Sequence, residues 1–457
     1  MFEKIDLNDD IKKILRLLQS QGKGYVVGGY IRDKLLGYEP LDCDFVTDID
    51  YIQLKEIFTE YNPIEIGRHF GVIQIKINNI TYEIAKMRED IGIPENRKEQ
   101  DILFTGDIYT DLKRRDFTVN AIAYDGEKYY YHDISEYDIA NRNIRFIGDT
   151  ERRIKEDPLR ILRAFRFAAT KNLNMKFDLS TIKDNLEFIK NISVERVREE
   201  FNKIIVATNM TPLRVMSSIG VIETFIPQWS EIKDLYQISR GRKMNVALHT
   251  IKAMGVVKED FVLRLALFFH DIGKGRSKSI DENGNMHFYN HGLVSAEIAK
   301  KVMKSLKYDK KTIERVYRLV ASHLFYRKEV DELFVKKKLN YLGEDIYRFY
   351  RLIEGDKIAH FPPYDFTTID RMKILHFKIV QNNIPYRKSD LAINGKDLIE
   401  KFNLKGPIIG KIIDELYEHI LIHPELNLKE ELLNYTLKVL DKYVQSTDKS
   451  TVVNKNH

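Results

Sequence analysis

Cysteine is almost absent. Cys43 is the only one in 457 residues, so no disulfide can close within the chain, and the cytoplasm is the expected compartment. No run of 18 apolar residues, signal-peptide pattern or lipidation motif occurs; neither export nor a membrane partner is expected. Short-period repeats are missing. A strong charge bias is missing too: 74 Lys and Arg against 68 Asp and Glu leave +6. That balance is compatible with a polyanionic partner but does not point to one, because Lys and Glu alternate through most of the chain. What is present, 43% hydrophobic and 31% charged residues over 457 positions, describes a globular chain too long for one core.

The chemistry begins in residues 24–48, GYVVGGYIRDKLLGYEPLDCDFVTD. Tyr25 to Val27 is a β-branched run stopped by Gly28 and Gly29, which permit a sharp turn and close backbone approach to a ligand. Tyr30 to Leu36 reads as a helix whose N-terminus faces that turn, an anion site. Leu41 to Val46 alternates as a strand, with Asp42 and Asp44 on one face and Leu41, Cys43 and Phe45 on the other. Two carboxylates on one face repel unless a cation lies between them, and Mg²⁺ takes one or two carboxylates plus phosphate oxygens. A phosphate cradle followed by paired carboxylates is the equipment for metal-assisted nucleotidyl transfer.

Residues 62–88 read as a hairpin turning at Asn78-Asn79. Its second strand carries Glu83, either a third carboxylate near the metals or a structural, solvated one. Residues 89–105 read as a polar mobile loop. In 106–125, Asp107 to Arg114 is helical, Thr118 to Tyr124 is a strand, and Arg114-Arg115-Asp116 stands at the junction, where paired guanidiniums suit a triphosphate. Residues 126–149 read as another hairpin, after which strands largely vanish. In RIKEDPLRILRAFRFAA (153–169), Pro158 fits a first helical turn near Asp157 or Glu156. Arg160, Arg163 and Arg166 recur every three residues along one face. Such a row is expensive to bury without partners, for which phosphates or a base edge would serve. Asp157 can accept and Arg160 can donate, which suits a nucleobase edge. Ser193 caps a helix carrying Arg196 and Glu200 on one face.

The spacing GG-x-x-R-D then D-x-D, the run RRDFTVNA and the element ED-x-x-R together resemble the polymerase-β superfamily head in bacterial (class II) tRNA nucleotidyltransferases, the CCA-adding enzymes, and bacterial poly(A) polymerases. The resemblance implies that Asp42 and Asp44 are catalytic Mg²⁺ ligands. It implies nucleotide binding by Gly28, Gly29, Arg32, Asp33, Arg115, Asp116, Asn120, Asp157, Arg160, Arg163 and Arg166. Asp157 and Arg160 would select CTP and then ATP, a flexible loop near 89–105 would switch the site between substrates, and the 193–200 element would position helices. The expected function is untemplated addition of CCA to the 3′ end of tRNA. Partial CC- or A-adding enzymes and poly(A) polymerases share these motifs.

A second constellation lies downstream: His249, His270-Asp271, His291, His323 and Asp356, centred on LALFFHDIGKGR. The apolar run places His270-Asp271 at a buried helix position, where a metal is the natural partner of the carboxylate. This resembles an HD-type metal phosphohydrolase domain, with His249 and Asp356 as distal ligands and a transition metal as cofactor. His291 and His323 are ligands of a second metal or substrate contacts. A domain kept for packing alone, an HD phosphohydrolase acting on RNA ends and a non-enzymatic RNA-binding protein are the other readings. Gly395-Lys396, Lys405-Gly406-Pro407 and Gly410-Lys411 suit an RNA backbone. The expected organisation is α+β and multidomain: an α/β head at 1–150, a helical neck and body at 151–245, the HD domain at 246–365, a helical tRNA-binding tail at 366–445 and a flexible end at 446–457. Oligomeric state is not readable.

Overall fold

The computed structural model describes residues 2–66, 71–92, 101–258, 260–324 and 330–440. It divides into two compact units: Met1–Tyr236 with Asn245–Arg264 and Val302–Tyr308, and Gln237–Met244 with Leu265–Lys301 and Asp309–His457.

The first unit begins with α1 (Asp9–Gln19), opened by Asn8, whose side chain accepts from the Ile11 N–H. The helix buries Ile11, Ile14, Leu15 and Leu18, as the helical spacing predicts. β1 (Gly24–Val27) is buried along its whole length, so both its faces are covered. Helix and strand approach closely: a Cβ on Gly24 would lie 2.6 Å from Leu18 Cβ. After α2 (Gly29–Leu36), β2 (Asp44–Thr47) and α3 (Tyr51–Ile57) come β3 (Ile64–Glu65), β4 (Val72–Ile77) and β5 (Ile80–Lys86). Asn78 and Asn79 both have positive φ, 49° and 66°, and Ile77 pairs with Ile80; these two asparagines make the turn of a two-residue hairpin. Then follow β6 (Arg88–Ile91), β7 (Asp101–Phe104), α4 (Ile108–Lys113), β8 (Ile122–Tyr124) and β9 (Tyr129–Tyr131). The sheet order is β3-β4-β5-β2-β1-β8-β9. Only the β2–β5 pair in it is parallel. Tyr25, Val27, Val46, Met87, Ile108, Leu112, Ala121, Ala123 and Ile147 form a buried cluster. Val26, Phe45, Tyr82 and Ile84 are buried as well.

Several local expectations are corrected. Leu41 is 98% exposed and precedes the strand, which starts only at Asp44; the alternation of Leu41 to Val46 misled because its first three residues, just after Pro40, lie before the ladder, which Asp44 opens. Residues 88–91 and 101–104 pair as an antiparallel ribbon where a loop was expected, and 93–100 lie outside the described residues, as do 67–70 of the expected hairpin and the 446–457 end. Thr118–Asn120 is one 3₁₀ turn before the short β8. Residues 126–149 hold no hairpin of their own: β9 pairs back with β8, α5 (Ser135–Ala140) follows, and β10 (Asn143–Ile144) pairs in parallel with β11 (Asn174–Met175).

The rest is mostly helical. α6 (Thr150–Glu156) and α7 (Leu159–Thr170) are broken at Asp157, which is extended, with Pro158 starting α7. After α8 (Leu179–Asp184), α9 (Val194–Ile205) buries Val197, Phe201, Ile204 and Ile205 against this layer. Buried Arg264 donates to the carbonyls of Ala207 and Val257 at 3.0 and 2.9 Å. The second unit contains the hairpin Lys278–Ile280/Met286–Phe288 and helices that include Lys310–Ser322, Glu332–Leu342, Ile346–Ala359 and Thr367–Gln381. Ile393, Leu398, Ile412, Leu416, Ile420, Leu432 and Val439 form its C-terminal core. No helix among the described residues is long and apolar enough to cross a membrane.

The contact at Gly24 gives a test. Gly24→Ala should lower the stability of the first unit by about 1–3 kcal/mol, the usual cost of overpacking a tight contact. A urea-unfolding midpoint unchanged from wild type would show that α1 can move away from β1 freely.

Candidate functional site

The head site is built around the turn between β1 and α2. Gly28 has φ +68°, and a Cβ there would lie 2.9 Å from Arg115 Nη1; a larger residue would be both strained and in collision. A Cβ on Gly29 would lie 3.9 Å from Asp42 Oδ1 and 3.7 Å from Arg32 Nη2. The turn therefore brings Gly28, Gly29, Arg32, Asp42 and Arg115 to one place. Asp44 pairs across the parallel ladder with Glu83, so Glu83 stands in register beside the carboxylate pair. The Asp44 carboxyl is pushed up to about 6, first by desolvation and then by Asp42 and Glu83, with Arg115 opposing. Its residue still keeps exposed surface, so the recess is open on one side. Three carboxylates whose mutual repulsion raises a pKa fit a hard divalent cation.

The arginines around this turn are held by carboxylates. Arg32 is buried, donates from Nε to Asp33 at 2.7 Å and from Nη1 to Asn120 Oδ1 at 2.7 Å, and stacks over Phe167 at 4.5 Å. Asp33 also takes Lys171 at 2.9 Å. Arg115 and Arg114 share buried Asp111. Asp116 accepts from Asn120 Nδ2 at 2.8 Å and from Arg163 at 2.8 and 2.5 Å. Burial works against its charge, but Arg163 and Asn120 hold its carboxyl well below the usual range.

The arginine row on α7 does lie along one face, but carboxylates occupy it. Arg160 pairs with Glu156 at 2.7 Å, Arg163 with Asp116, and Arg166 with Glu200. Asp157 is approached by Arg196 at 3.2 Å, so the α9 element is wired directly to the expected base-reading aspartate. From the sequence, Arg196 and Glu200 only position helices, and the pairing of Glu156 with Arg160 is not expected. The i,i+4 spacing of Glu156 and Arg160 carried that signal; nothing local pairs Arg196 with Asp157.

A second centre lies in the second unit. His270 and Asp271 are fully buried, in the turn just after the helix Phe261–Phe269 rather than within it. The Nδ1 atoms of His270, His291 and His323 lie 2.6, 2.7 and 2.7 Å from the carbonyls of Leu267, Phe288 and Val320. A carbonyl only accepts, so each Nδ1 carries a proton and Nε2 is the atom that each ring turns inward. Those Nε2 atoms converge on carboxylates: His270 lies 3.3 Å from Asp271 and 3.5 Å from Asp356, and His291 3.3 Å from Asp271. His323 lies 3.9 Å from Asp271. The Nε2 atoms of His291 and His323 are 3.3 Å apart, two lone pairs facing each other. Burial, then His270, drives His323 down to about 3. Burial works against a charge on His270, but Asp271 and Asp356 lift it to about 10. Asp271, His291 and His323 each offer a ligand atom within 4.8 Å of the others, a donor set that fits a transition metal. Lys274 Nζ donates to Asp271 at 2.6 Å and to Gln237 at 2.7 Å. Lys274 lies inside the HDIGK run and was passed over, as was His360, 3.6 Å from Asp356. His249 is buried on the helix Val246–Gly255 of the first unit.

The fold and the head's motifs define a nucleotidyltransferase. Residues 24–145 match the poly A polymerase head domain, 179–233 the probable RNA and SrmB-binding site of polymerase A, and 242–344 the HD domain. The chain is 34% identical over 241 residues to the CCA-adding enzyme of Lactobacillus helveticus, covering 52% of this chain and 60% of that one. It is 26% identical over 440 residues to that of Staphylococcus epidermidis, covering 94% and 98%. Its fold is shared with the Bacillus stearothermophilus CCA-adding enzyme in complex with CTP, at TM-score 0.71 and 21% identity over 96% of this chain and 100% of that one. It is shared also with the Thermotoga maritima CCA-adding enzyme complexed with tRNA, at TM-score 0.58 and 20% identity over 96% and 97%. A polymerase-type head, an RNA-binding segment and an HD domain thus follow one another in this chain, and over nearly its whole length it is similar to bacterial CCA-adding enzymes.

The raised Asp44 has a signed consequence. A carboxyl whose folded pKa lies above its unfolded value favours the protonated fold, so its penalty is absent at low pH and grows as pH rises through about 4 to 6. In chelator, Asp44→Asn should therefore melt above wild type at pH 7, with the two melting temperatures converging near pH 4. Equal melting temperatures at both pH values would mean that the carboxyl carries no such penalty.

Proposed function

We propose that the protein adds or repairs the 3′-terminal CCA of tRNA, using CTP and ATP and no template. The observation that carries this reading is the end-to-end match to a CCA-adding enzyme, 94% of this chain against 98% of that one, joined to a head in which Asp42, Asp44 and Glu83 stand beside the Gly28-Gly29 turn. Asp42 and Asp44 would hold Mg²⁺, with Glu83 as the third carboxylate. Bound there, Mg²⁺ would acidify the attacking 3′ hydroxyl and neutralise charge on the departing pyrophosphate. Gly28 and Gly29 leave room for the triphosphate beside α2, and Arg32 and Arg115 supply guanidinium donors to its oxygens. Asp33 and Asn120, the latter held by Asp116, orient Arg32, and Asp111 holds Arg115. Asp157 and Arg160 present an acceptor and a donor to the base edge, while Arg163 and Arg166 hold α7 in place. Residues 1–150 act as the catalytic head, 151–245 as neck and body, 246–365 as the HD domain and 366–445 as the tRNA-binding tail.

A partial enzyme or a poly(A) polymerase would share this head. Incubating the protein with tRNA lacking one, two or three terminal nucleotides, with each NTP separately, decides among them. The reading requires CMP on the two shorter acceptors and AMP only after CC. Loss of all incorporation in Asp44→Ala, with less than a tenth of wild-type turnover, or about 1.4 kcal/mol or more on the barrier, is expected alongside. Long A tails on every acceptor would replace CCA addition with polyadenylation.

The convergent histidines favour a second reading beside the first: the 246–365 region binds a transition metal and hydrolyses phosphate esters at RNA ends, with Asp271, His291 and His323 as ligands and His270 and Asp356 completing the set.

Base selection gives a further outcome. Triphosphate contacts do not sense the base, whereas a wrong base leaves a donor or acceptor unpaired at about 1–3 kcal/mol. Asp157→Ala removes the acceptor for the amino group that cytosine and adenine share. Discrimination against UTP, read as kcat/KM ratios, should fall by about one to two orders of magnitude. A uniform slowing of all four nucleotides would make Asp157 a scaffold.

A further inference from the structure

The hairpin Lys278–Ile280/Met286–Phe288 leads directly into the second centre. The Phe288 carbonyl receives His291 Nδ1 at 2.7 Å, and the Lys274 ammonium sits 5.6 Å over the Phe288 ring. Between that strand and His291 stands Tyr289, 68% exposed. In the turn after the strand, its ring lies parallel to and offset from that of His287, centroids 5.3 Å apart and planes inclined by 13°. His287 is itself clamped: its Nε2 is 2.9 Å from Asp281 Oδ2. Asp281 Oδ1 meanwhile accepts from the Asn283 and Asn285 N–H groups across the hairpin turn. One face of Tyr289 is therefore backed by a fixed imidazole. Tyr289 is two residues from His291, so their Cα atoms are within about 7 Å, roughly the span from a phosphate to its base.

A second hairpin supplies charge of the matching sign. Residues 237–244 carry Arg240, Arg242 and Lys243, all exposed, and are tied to the same centre by Gln237 to Lys274 at 2.7 Å and by Ser239 to His360 at 2.9 Å.

We propose that Tyr289 is a base-stacking platform that makes the HD centre selective for phosphate esters bearing a nucleobase, such as the end of a nucleic-acid strand. The phosphate occupies the Asp271–His291–His323 cluster, its base stacks on Tyr289, and the basic hairpin follows the backbone. Stacking is tolerant of base identity, so the platform reads the presence of a base rather than its sequence. This rests on the reading of the cluster as a phosphate-binding metal centre.

The test is equilibrium binding by calorimetry on the full chain loaded with Mn²⁺, with adenosine 3′-monophosphate and with orthophosphate as probes. The part of each isotherm lost in Asp271→Asn is assigned to this centre. Tyr289→Ala should weaken that component for the nucleotide by about tenfold to a hundredfold and leave orthophosphate unchanged, while Tyr289→Phe should bind both as wild type does. Equal weakening of both probes, or none for the nucleotide, overturns the platform while leaving the centre. Orthophosphate binding that Asp271→Asn does not alter overturns the centre, and the platform with it.

Discussion

One half-buried carboxylate organises the first unit. Asp116 is held ionised because Arg163, Asn120 and the Phe117 N–H all donate to it. Through Asn120 it reaches Arg32, and through Arg32 it reaches Asp33 and Lys171. The Gly28-Gly29 side of the head and α7 are thus joined by one chain of charged hydrogen bonds. Such pairs add little net stability, but removing one partner strands the other, so the geometry is all-or-none.

The same logic explains why the α7 arginines face carboxylates. Asp116, Glu156 and Glu200 neutralise guanidiniums that an apolar helix could not otherwise keep, and Phe167 lies under two of them, Arg163 and Arg166, the latter 3.8 Å over its ring, and under Arg32 of α2 as well. The row is a prearranged lattice, and donors already oriented cost less entropy when a ligand arrives. At the carboxylate cluster the balance is opposite: desolvation first, then Asp42 and Glu83, raise Asp44, and a cation would relieve the gathered negative charge.

In the second centre, backbone carbonyls do the organising. Three histidines present Nε2 inward because each Nδ1 is bound to a carbonyl three residues earlier. The inward atom is thereby set by helix ends and turns, not by side-chain neighbours, and Nε2 atoms and carboxylates are gathered where a cation fits.

The sequence alone determined the presence of the head, its Gly28-Gly29 turn, the Asp42 and Asp44 pair, the helical remainder and the HD residues. These depend on local spacing: adjacent glycines, a two-residue carboxylate step, an apolar run before His270-Asp271. It also suggested elements that do not form, notably a strand through Leu41 and a hairpin over 126–149, because alternation near an edge does not say which strand will accept the ladder; β9 pairs with β8, and β10 with the distant β11. Only the tertiary structure decided who partners whom. Glu83 beside Asp44, Arg196 on Asp157, Asp116 on Arg163 and Lys274 on Asp271 join residues through strand register, helix packing or a turn's geometry. A charged side chain's role follows from the charge it meets, and for most of these pairs that charge lies tens of residues away along the chain.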